Sequence, residues 1–298
     1  MENVLSIQNL RKQYGKITAV QGFQLDIPRG TIYGILGPNG SGKTTTLGMV
    51  LDVINPTSGD FQWFGETSTK ASRKRIGAIL EAPLFYPYLT GYNNLRIVAQ
   101  IKDVPYSEID KMLELVGLEE RKDYPFKTYS LGMKQRLAIA AAMLGKPEVL
   151  ILDEPTNGLD PQGIVEIRDL IRQIAAQGIT ILLASHLLDE VEKVCTHVAV
   201  LQKGSLLYAG PVDQLKPGQT LFEVLADDMA ALETAAKALP GIATLNHHNG
   251  KLQLSFTEDP APGELNRTFF EAGIALSHLA VRKSTLEEQF LEITRNEG

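Results

Sequence analysis

Cysteine is scarce in this sequence, because Cys195 is the single cysteine among 298 residues. One thiol excludes an intrachain disulfide and a metal site built from several thiolates, and it suits a reducing compartment such as the cytosol. Cys195 lies among apolar residues of a predicted helix, so we expect a packed thiol. The chemistry of the chain must therefore come from other residue types.

Long apolar runs are also missing. Hydrophobic residues make up 44% of the chain, the mean hydropathy is -0.05, and no run approaches the roughly 20 residues that span a bilayer. Met1-Glu2-Asn3 shows no basic segment followed by an apolar one, so we expect no secretory signal. We therefore expect a cytoplasmic chain whose only route to the cytoplasmic face of a membrane is peripheral association through a partner.

The chain has no excess of basic residues either. Acidic and basic side chains balance in residues 1–216, so the net charge of -6 belongs to residues 217–298. A nucleic-acid partner requires a basic face, so we expect no nucleic acid to bind. Lys216-Pro217-Gly218-Gln219 is a plausible linker, and it predicts two domains, 1–216 and 217–298.

What the sequence does contain is a glycine-rich loop between a predicted strand at 31–36 and a predicted helix at 44–51. Its glycines allow the backbone N–H groups of residues 39–43 to point at phosphate oxygens. Lys43 would neutralise phosphate charge, and the Thr44 hydroxyl would hold Mg²⁺. A simple turn is the alternative, but the full G-x-x-x-x-G-K-T pattern in this context favours a nucleotide site. The predicted phosphate-binding residues are Gly37, Pro38, Asn39, Gly40, Ser41, Gly42, Lys43, Thr44 and Thr45.

An acidic pair follows the apolar run at residues 149–152. The run predicts a central parallel strand whose end carries Asp153 and Glu154 towards the loop. Asp153 would hold Mg²⁺, and Glu154 would accept a proton from an attacking water. Without the loop, the same pair would be a cap for the next helix.

The segment before this strand resembles the signature motif of ABC ATPases. Ser130 and Gly132 match the family string Leu-Ser-Gly-Gly-Gln, whereas Tyr129, Leu131 and Met133 depart from it. From the residues alone, Ser130 is an N-cap for a helix at 131–144. The resemblance implies that Ser130 and Gly132 contact the γ-phosphate of ATP bound to a second chain.

Further motifs follow in the order of that family. Asn157-Gly158-Leu159-Asp160 resembles the D-loop, and Ser185-His186, after a strand at 180–184, resembles the switch histidine. Tyr14 lies where the family places an aromatic side chain on adenine. Each has a plainer interpretation: Asp160 is an N-cap before a proline, His186 a polar residue at a strand end, and Tyr14 a surface loop residue.

Glu81 stands where most ABC ATPases have glutamine. It can still ligate Mg²⁺ or orient water, although it adds negative charge near a triphosphate. Together with the Tyr-Ser-Leu-Gly-Met signature and the C-terminal segment, it resembles the ATPases of exporters of the bacitracin and lantibiotic resistance type.

The fold class implied by the resemblance is an α/β P-loop NTPase of ABC type. Its parts are a parallel core sheet, an antiparallel β subdomain formed by residues 4–36, and a helical subdomain at about 84–146. The residue patterns agree, since strands near 148, 180 and 198 alternate with helices near 162 and 188. Within 84–146, helices are predicted at 93–101, 107–116 and 131–144.

The C-terminal segment predicts a small ferredoxin-like domain in β-α-β-β-α-β order. Its strands and helices are expected at 220–225, 228–239, a hairpin through Asn249-Gly250, 263–272 and 275–282. A capping box at 284–287 should begin a last helix at 288–294. His247 and His248 are adjacent and point to opposite strand faces, so a solvated turn is expected rather than a metal site.

Residues 83–92 are unusually aromatic for a chain with 7% aromatic residues. One interpretation is a groove that receives a partner. The other is a small core beneath a loop, and the sequence leaves both open.

Taken together, the resemblance implies an ATP hydrolase in which two chains enclose two ATP and two Mg²⁺. The second chain is expected to be identical, and export is expected to run through a separate polytopic membrane permease. A soluble ABC ATPase of the DNA-repair or translation type is an alternative, but the chain has one loop of this type and no long heptad run. An importer ATPase and an unrelated P-loop kinase are further alternatives.

Overall fold

The computed structural model describes residues 2–81, 84–214 and 220–283. Contacts divide the chain into two compact units, Met1–Val212 and Asp213–Gly298. The linker predicted at 216–219, the capping box and helix predicted at 284–294, and Pro83 of the aromatic segment lie outside the described residues. The domain boundary at 216 therefore stays a prediction.

The first unit contains strands and helices in the predicted alternation. Its strands are β1 (Asn3–Tyr14), β2 (Ile17–Pro28), β3 (Ile32–Leu36), β4 (Ser58–Trp63), β5 (Glu66–Thr67), β6 (Ile76–Ile79), β7 (Val149–Asp153), β8 (Thr180–Ser185), β9 (His197–Gln202) and β10 (Ser205–Pro211). Its α-helices are α1 (Lys43–Val50), α2 (Lys70–Lys74), α3 (Gly91–Lys102), α4 (Ser107–Leu115), α5 (Leu131–Met143), α6 (Pro161–Ala175) and α7 (Leu188–Val194).

The strands form two sheets. The larger one has the order β10-β9-β3-β8-β7-β6 and is parallel from β9 to β6, while β10 pairs with β9 in the antiparallel sense. Every residue of β3, β7 and β8 is buried, as expected for strands covered on both faces. The parallel strands end at one edge, so the residues that follow β3, β6, β7 and β8 come together there.

The smaller sheet has the order β2-β1-β4-β5 and is antiparallel. The antiparallel group predicted at 4–36 is wrong at its end, because β3 pairs in parallel with β8 and β9 in the larger sheet. Its Trp63 is fully buried, and the indole Nε1 donates a hydrogen bond of 2.7 Å to the carbonyl oxygen of Val50 at the end of α1. This bond satisfies the one polar atom of a large buried ring and ties the sheet to the helix that follows the glycine-rich loop.

The three helices predicted within residues 84–146 are present as α3, α4 and α5. Thr90 caps α3, because its hydroxyl accepts a hydrogen bond from the backbone N–H of Asn93 at 3.1 Å. The helix therefore begins at Gly91, two residues before the predicted start. Cys195, after α7, is a buried thiol as expected, and burial raises its pKa to about 12.

An ion-pair cluster joins the two sheets at the other edge of the parallel strands. Glu148 precedes β7, and its Oε2 accepts hydrogen bonds from Arg29 at 2.7 Å and from Arg75 at 2.9 Å. The Arg75 guanidinium also lies 3.6 Å from the ring centre of Phe64. Residues that follow β2 and precede β6 and β7 are thereby held together.

Glu148→Gln is expected to lower the free energy of unfolding by about 1 kcal/mol at neutral pH, since partly exposed ion pairs are screened by solvent. Hydrogen bonding from Arg75, and then from Arg29, lowers the pKa of Glu148 from 4.5 to about 2. Because the folded-state pKa is lowered, this stabilisation is present above pH 4.5 and is lost as the pH falls towards 2. Urea unfolding of the wild type and of the Glu148→Gln protein across this pH range measures the difference in their free energy of unfolding. A difference that does not shrink in acid would contradict the prediction.

The second unit has the predicted β-α-β-β-α-β order. Its elements are β11 (Thr220–Ala226), α8 (Met229–Lys237), β12 (Ile242–His248), β13 (Lys251–Phe256), α9 (Pro262–Glu271) and β14 (Leu276–Lys283). The sheet is antiparallel with the order β12-β13-β11-β14, the ferredoxin-like arrangement expected from the sequence. Its core lies between one face of the sheet and the two helices, around Phe222, Leu254 and Phe269.

His247 and His248 lie on β12 beside the hairpin turn, and both are exposed. The Nε2 atom of His247 is 3.0 Å from Oε2 of Glu233. No group of three or more metal-ligating side chains occurs in the parts of the chain that the structure describes. Within those same ranges, no helix has both the length and the apolar character that a membrane crossing requires.

Candidate functional site

The loop between β3 and α1 is shaped by its glycines. Gly40 and Gly42 have φ values of 79° and 106°, which favour glycine. A Cβ atom at Gly37 would lie 2.4 Å from the carbonyl oxygen of Leu201, and one at Gly42 would lie 2.7 Å from that of Ala19. Larger residues at 37 and 42 would therefore displace the neighbouring backbone.

Lys43 is the first residue of α1, and its side chain is only 5% exposed. The ammonium Nζ donates hydrogen bonds to the carbonyl oxygens of Gly37 at 2.7 Å and Pro38 at 3.4 Å, so it folds back over the loop. The N-cap residue Gly42 makes no side-chain cap bond. The first N–H groups of α1 and the Lys43 ammonium therefore meet in one place, which is suited to an anion.

Asp153 is buried at the end of β7 and faces the start of α1. The Thr44 hydroxyl donates a 2.8 Å hydrogen bond to its Oδ2, while its Oδ1 is buried without a hydrogen-bond partner among the described residues. Burial, more than any neighbouring charge, raises the pKa of Asp153. An unsatisfied carboxylate oxygen beside a hydroxyl oxygen is a donor set that fits Mg²⁺, so these residues could hold that ion.

Glu154 is held from two sides. Its Oε1 lies 3.3 Å from the Nζ atom of Lys43, and its Oε2 lies 2.8 Å from Nδ1 of His186. Its backbone has a φ of 48°, and its N–H donates to the carbonyl oxygen of Ala184 on β8 at 2.9 Å. A non-glycine residue in this conformation is strained, and such strain concentrates at functional sites.

Glu81 lies two residues beyond β6, at the same edge of the sheet. It too has a left-handed backbone, with a φ of 59°. Its charge is one of the influences that raise the pKa of Asp153, although burial contributes more. The structure thus places a third carboxylate near the glycine-rich loop, while its role as a ligand stays a prediction.

Ser130 and Asp160 are both helix caps. The Ser130 hydroxyl accepts a hydrogen bond from the N–H of Met133 at 3.2 Å, and Asp160 Oδ1 accepts one from Gly163 at 3.0 Å. The plainer interpretation of each residue is therefore confirmed. In the described residues, no hydrogen bond joins either side chain to the glycine-rich loop, and their contacts with nucleotide stay a prediction.

Tyr14 is the last residue of β1, and so the surface loop position suggested by the sequence is wrong. Pairing with Ile17 on β2 extends the strand to that point. The ring is half exposed, and the Lys12 ammonium lies 4.8 Å from its centre. One face of the aromatic ring therefore has a cation partner within its own strand.

Comparison with known proteins gives this arrangement a family. A family model described as ABC transporter matches residues 20–157. The bacitracin transport ATP-binding protein BcrA of Enterococcus faecalis is 38% identical, over 100% of this chain and 98% of that protein. The chain belongs to the ABC transporter ATP-binding proteins. Like other members of this family, this ABC protein is an ATPase that binds ATP.

Two further known proteins match only part of this ABC protein. The lantibiotic transport ATP-binding protein SrtF of Streptococcus pyogenes is 39% identical, over 74% of this chain and 99% of that protein. The solved structure of cbiO1 from Clostridium perfringens, described as part of the ABC transporter complex cbiONQ, superposes with a TM-score of 0.66 at 31% identity. That match covers 72% of this chain and 91% of the other. Each of these two matches leaves about a quarter of the ABC protein uncovered.

The structure brings together most of the predicted site residues of this ABC protein and leaves a few apart. Lys43, Thr44, Asp153, Glu154 and His186 form one connected cluster. The sequence did not predict that Lys43 and His186 each hold one carboxylate oxygen of Glu154. His186 is 32 residues away in the chain, and no local pattern indicates that contact.

Proposed function

We propose that this ABC ATPase hydrolyses ATP between two identical chains and so powers export through a separate polytopic membrane permease. The observation that carries the proposal is the cluster of Lys43, Glu154 and His186 beside the glycine-rich loop. It combines a cation for phosphate, a candidate base and a residue that orients the base. Transport is supported by the names of the bacitracin and lantibiotic relatives. Export is supported by a further relative, the Nod factor export ATP-binding protein I of Ralstonia nicotianae, which is 35% identical over 99% of this chain.

Nucleotide binding begins at the loop. The N–H groups of residues 39–43 would cradle the β-phosphate, and the Lys43 ammonium would exchange the carbonyl oxygens of Gly37 and Pro38 for phosphate oxygens. Tyr14 would stack on adenine through the ring face that Lys12 leaves open. Thr44, Asp153 and Glu81 would hold Mg²⁺, which neutralises charge on the β- and γ-phosphates.

Hydrolysis requires an in-line water and a base. Glu154 would take a proton from the water as its oxygen bonds to the γ-phosphorus, while the bond from that phosphorus to the bridging oxygen of ADP breaks. When Lys43 turns to phosphate, Glu154 loses one of its two restraints. His186 keeps hold of the other carboxylate oxygen, so the base remains oriented, and the imidazole would also contact the γ-phosphate.

The second chain would complete the site. Ser130 and Gly132 begin α5, and Ser130 is exposed with nothing of its own phosphate loop bound to it in the described residues. A helix N-terminus with a free hydroxyl accepts an anion, so α5 of one chain can meet the γ-phosphate of the other. Asp160 would lie at the same interface. ATP then favours closure of the two chains, and hydrolysis removes the shared contacts.

The aromatic segment is the proposed contact with the permease. Leu84 is 92% exposed and Tyr88 is 78% exposed. Phe85 instead packs against Phe126, with ring centres 5.1 Å apart, and thus forms the small core that was the alternative. A groove of about 340 Å³ runs beside Leu84 and Phe85 and is lined by apolar residues of β6, α3 and α5. Exposed aromatic and aliphatic side chains at a groove suit a protein partner.

Tyr88→Ala is expected to weaken attachment to the permease several-fold while basal ATPase activity stays unchanged. Truncating an exposed interface aromatic removes contact area without disturbing a core. Tyr106→Ala is the matched control, because Tyr106 is also exposed and, like Tyr88, has a cation over its ring. Capture of the permease by each tagged protein measures the effect; equal capture by both variants would contradict the assignment of this surface.

The experiment that tests the function is capture of a tagged copy, with ATP, from gently solubilised native membranes. A polytopic membrane protein is the expected companion. Recovery of ribosomes or DNA without a membrane protein would favour a soluble ABC ATPase and overturn the transport proposal. The predicted domain at residues 217–298 is proposed as an accessory domain, since a lantibiotic relative matches only 74% of this chain.

A further inference from the structure

A second cavity of about 470 Å³ opens where α2, the end of α3 and the end of α5 meet. Its volume lies within the range of small-ligand sites. The cavity has apolar side chains, basic side chains and one acidic side chain in its lining. They are Ile76, Val104 and Leu144, then Lys70, Arg73 and Lys74 of α2, and Asp103. None of these residues belongs to the nucleotide cluster described above.

The positively charged side chains around the cavity differ in how many hydrogen bonds and ion pairs they make. Arg73 donates a 2.7 Å hydrogen bond to Oδ2 of Asp52, and the ammonium of Lys102 donates to three carbonyl oxygens near the end of α5. Burial of Lys102 lowers its pKa to about 8. Lys70 and Lys74, by contrast, are exposed and make no ion pair or hydrogen bond within the described ranges. Two lysine ammonium groups without an ion pair or hydrogen bond in the described ranges therefore flank the cavity.

Exposed aliphatic side chains surround the same place. Ile101 lines the cavity and is 79% exposed. Val53 is 70% exposed and follows Asp52, which the Arg73 ion pair holds against α2. Leu84 borders the adjoining groove, which shares Ile76 and Lys102 with the cavity. Uncommitted lysines among exposed aliphatic residues are typical of surfaces that lie against a lipid headgroup layer.

We propose that this cavity binds the head group of an anionic phospholipid. Lys70 and Lys74 pair with the lipid phosphate, and the apolar lining receives the glycerol and the first acyl carbons. Ile101 and Val53 enter the boundary between head groups and acyl chains. An acidic protein segment would satisfy the lysines but would leave these aliphatic side chains exposed, and for this reason lipid is the occupant that the residues favour.

The test is sedimentation of the purified full-length chain with vesicles, which contain no permease. The wild type is expected to bind vesicles of phosphatidylcholine with phosphatidylglycerol, to bind phosphatidylcholine alone far less, and to lose binding as salt rises. Each lysine near an anionic surface contributes roughly fivefold to the partition coefficient. The double variant Lys70→Gln/Lys74→Gln should therefore bind roughly 25-fold more weakly than the wild type.

Lys111→Gln/Lys193→Gln is the matched control, since it removes the same charge from exposed lysines on α4 and α7. It is expected to bind nearly as well as the wild type. Ile101→Ser, which leaves the charge unchanged, should weaken binding as well. Unchanged basal ATPase activity shows that each variant is folded.

Three results would overturn the proposal. One is equal binding by the two double variants, and another is no preference of the wild type for anionic vesicles. The third is a Lys70→Gln/Lys74→Gln protein that keeps vesicle binding but loses the permease, which would assign the cavity to an acidic protein segment. Because the vesicles hold no permease, a negative result leaves the proposed transport function standing.

Discussion

Glu154→Gln is expected to lower ATP turnover by roughly 10²- to 10⁴-fold, the range that a positioned general base contributes. Glutamine keeps the shape of the side chain and can still bond to His186, but it cannot take a proton from water. The ATP-bound state would then persist, because the contacts that close the two chains are removed only by hydrolysis. The variant should therefore form a long-lived dimer in ATP.

Size-exclusion chromatography with ATP, beside a phosphate-release assay, measures both effects. Glu192→Gln is the control, because it makes the same chemical change at an exposed carboxylate of α7. A Glu154→Gln protein that stays monomeric in ATP with full turnover would remove the two-chain mechanism and the assignment of the base together.

Lys43→Ala is expected to weaken ATP binding by roughly 100-fold, equivalent to about 3 kcal/mol for charge-assisted hydrogen bonds to phosphate. The ammonium is buried at the start of α1 and already bonds to the loop, so it lies where the phosphate is expected to bind. Glu154 would at the same time lose its cation and be held by His186 alone. The rate of ATP hydrolysis should fall together with the affinity for ATP.

Titration with a fluorescent ATP analogue measures the affinity of the Lys43→Ala protein. Lys111→Ala is the control, since Lys111 is exposed on α4 and pairs with Glu108. Thermal unfolding without nucleotide separates lost affinity from lost folding. ATP affinity within a few-fold of the wild type would contradict the role given to Lys43 and would direct attention to the loop backbone as the main phosphate contact.

Much of the fold was predictable because local patterns carried it. The fully buried strands β7 and β8 and the starts of the helices after them were placed within a residue or two, since buried parallel strands have few alternatives. The N-caps at Ser130 and Asp160 were also predictable from the sequence, because a cap depends on residues three positions apart. Helix starts were less certain, as the cap Thr90 shows for α3.

The site was predictable in its members but not in its connections. The glycine-rich loop contains its own strand, turn and helix signals, and the acidic pair closes a recognisable apolar run. The left-handed backbones of Glu81 and Glu154 left no trace in the sequence, because glutamate has no preference for that conformation. Tyr14 was misplaced in a loop because pairing with β2, not local propensity, carries β1 to that residue.

The sequence by itself determined which residues are proposed for phosphate, metal and proton chemistry, because contiguous motifs indicate them within a few positions. Only the tertiary structure decided that Glu154 lies between Lys43 and His186, since that contact depends on β3, β8 and β7 lying side by side in the sheet. The same holds for Lys70 and Lys74, which meet the end of α3 at a cavity. Strand order and helix packing arise from burial of apolar surface over the whole chain, which no local segment specifies.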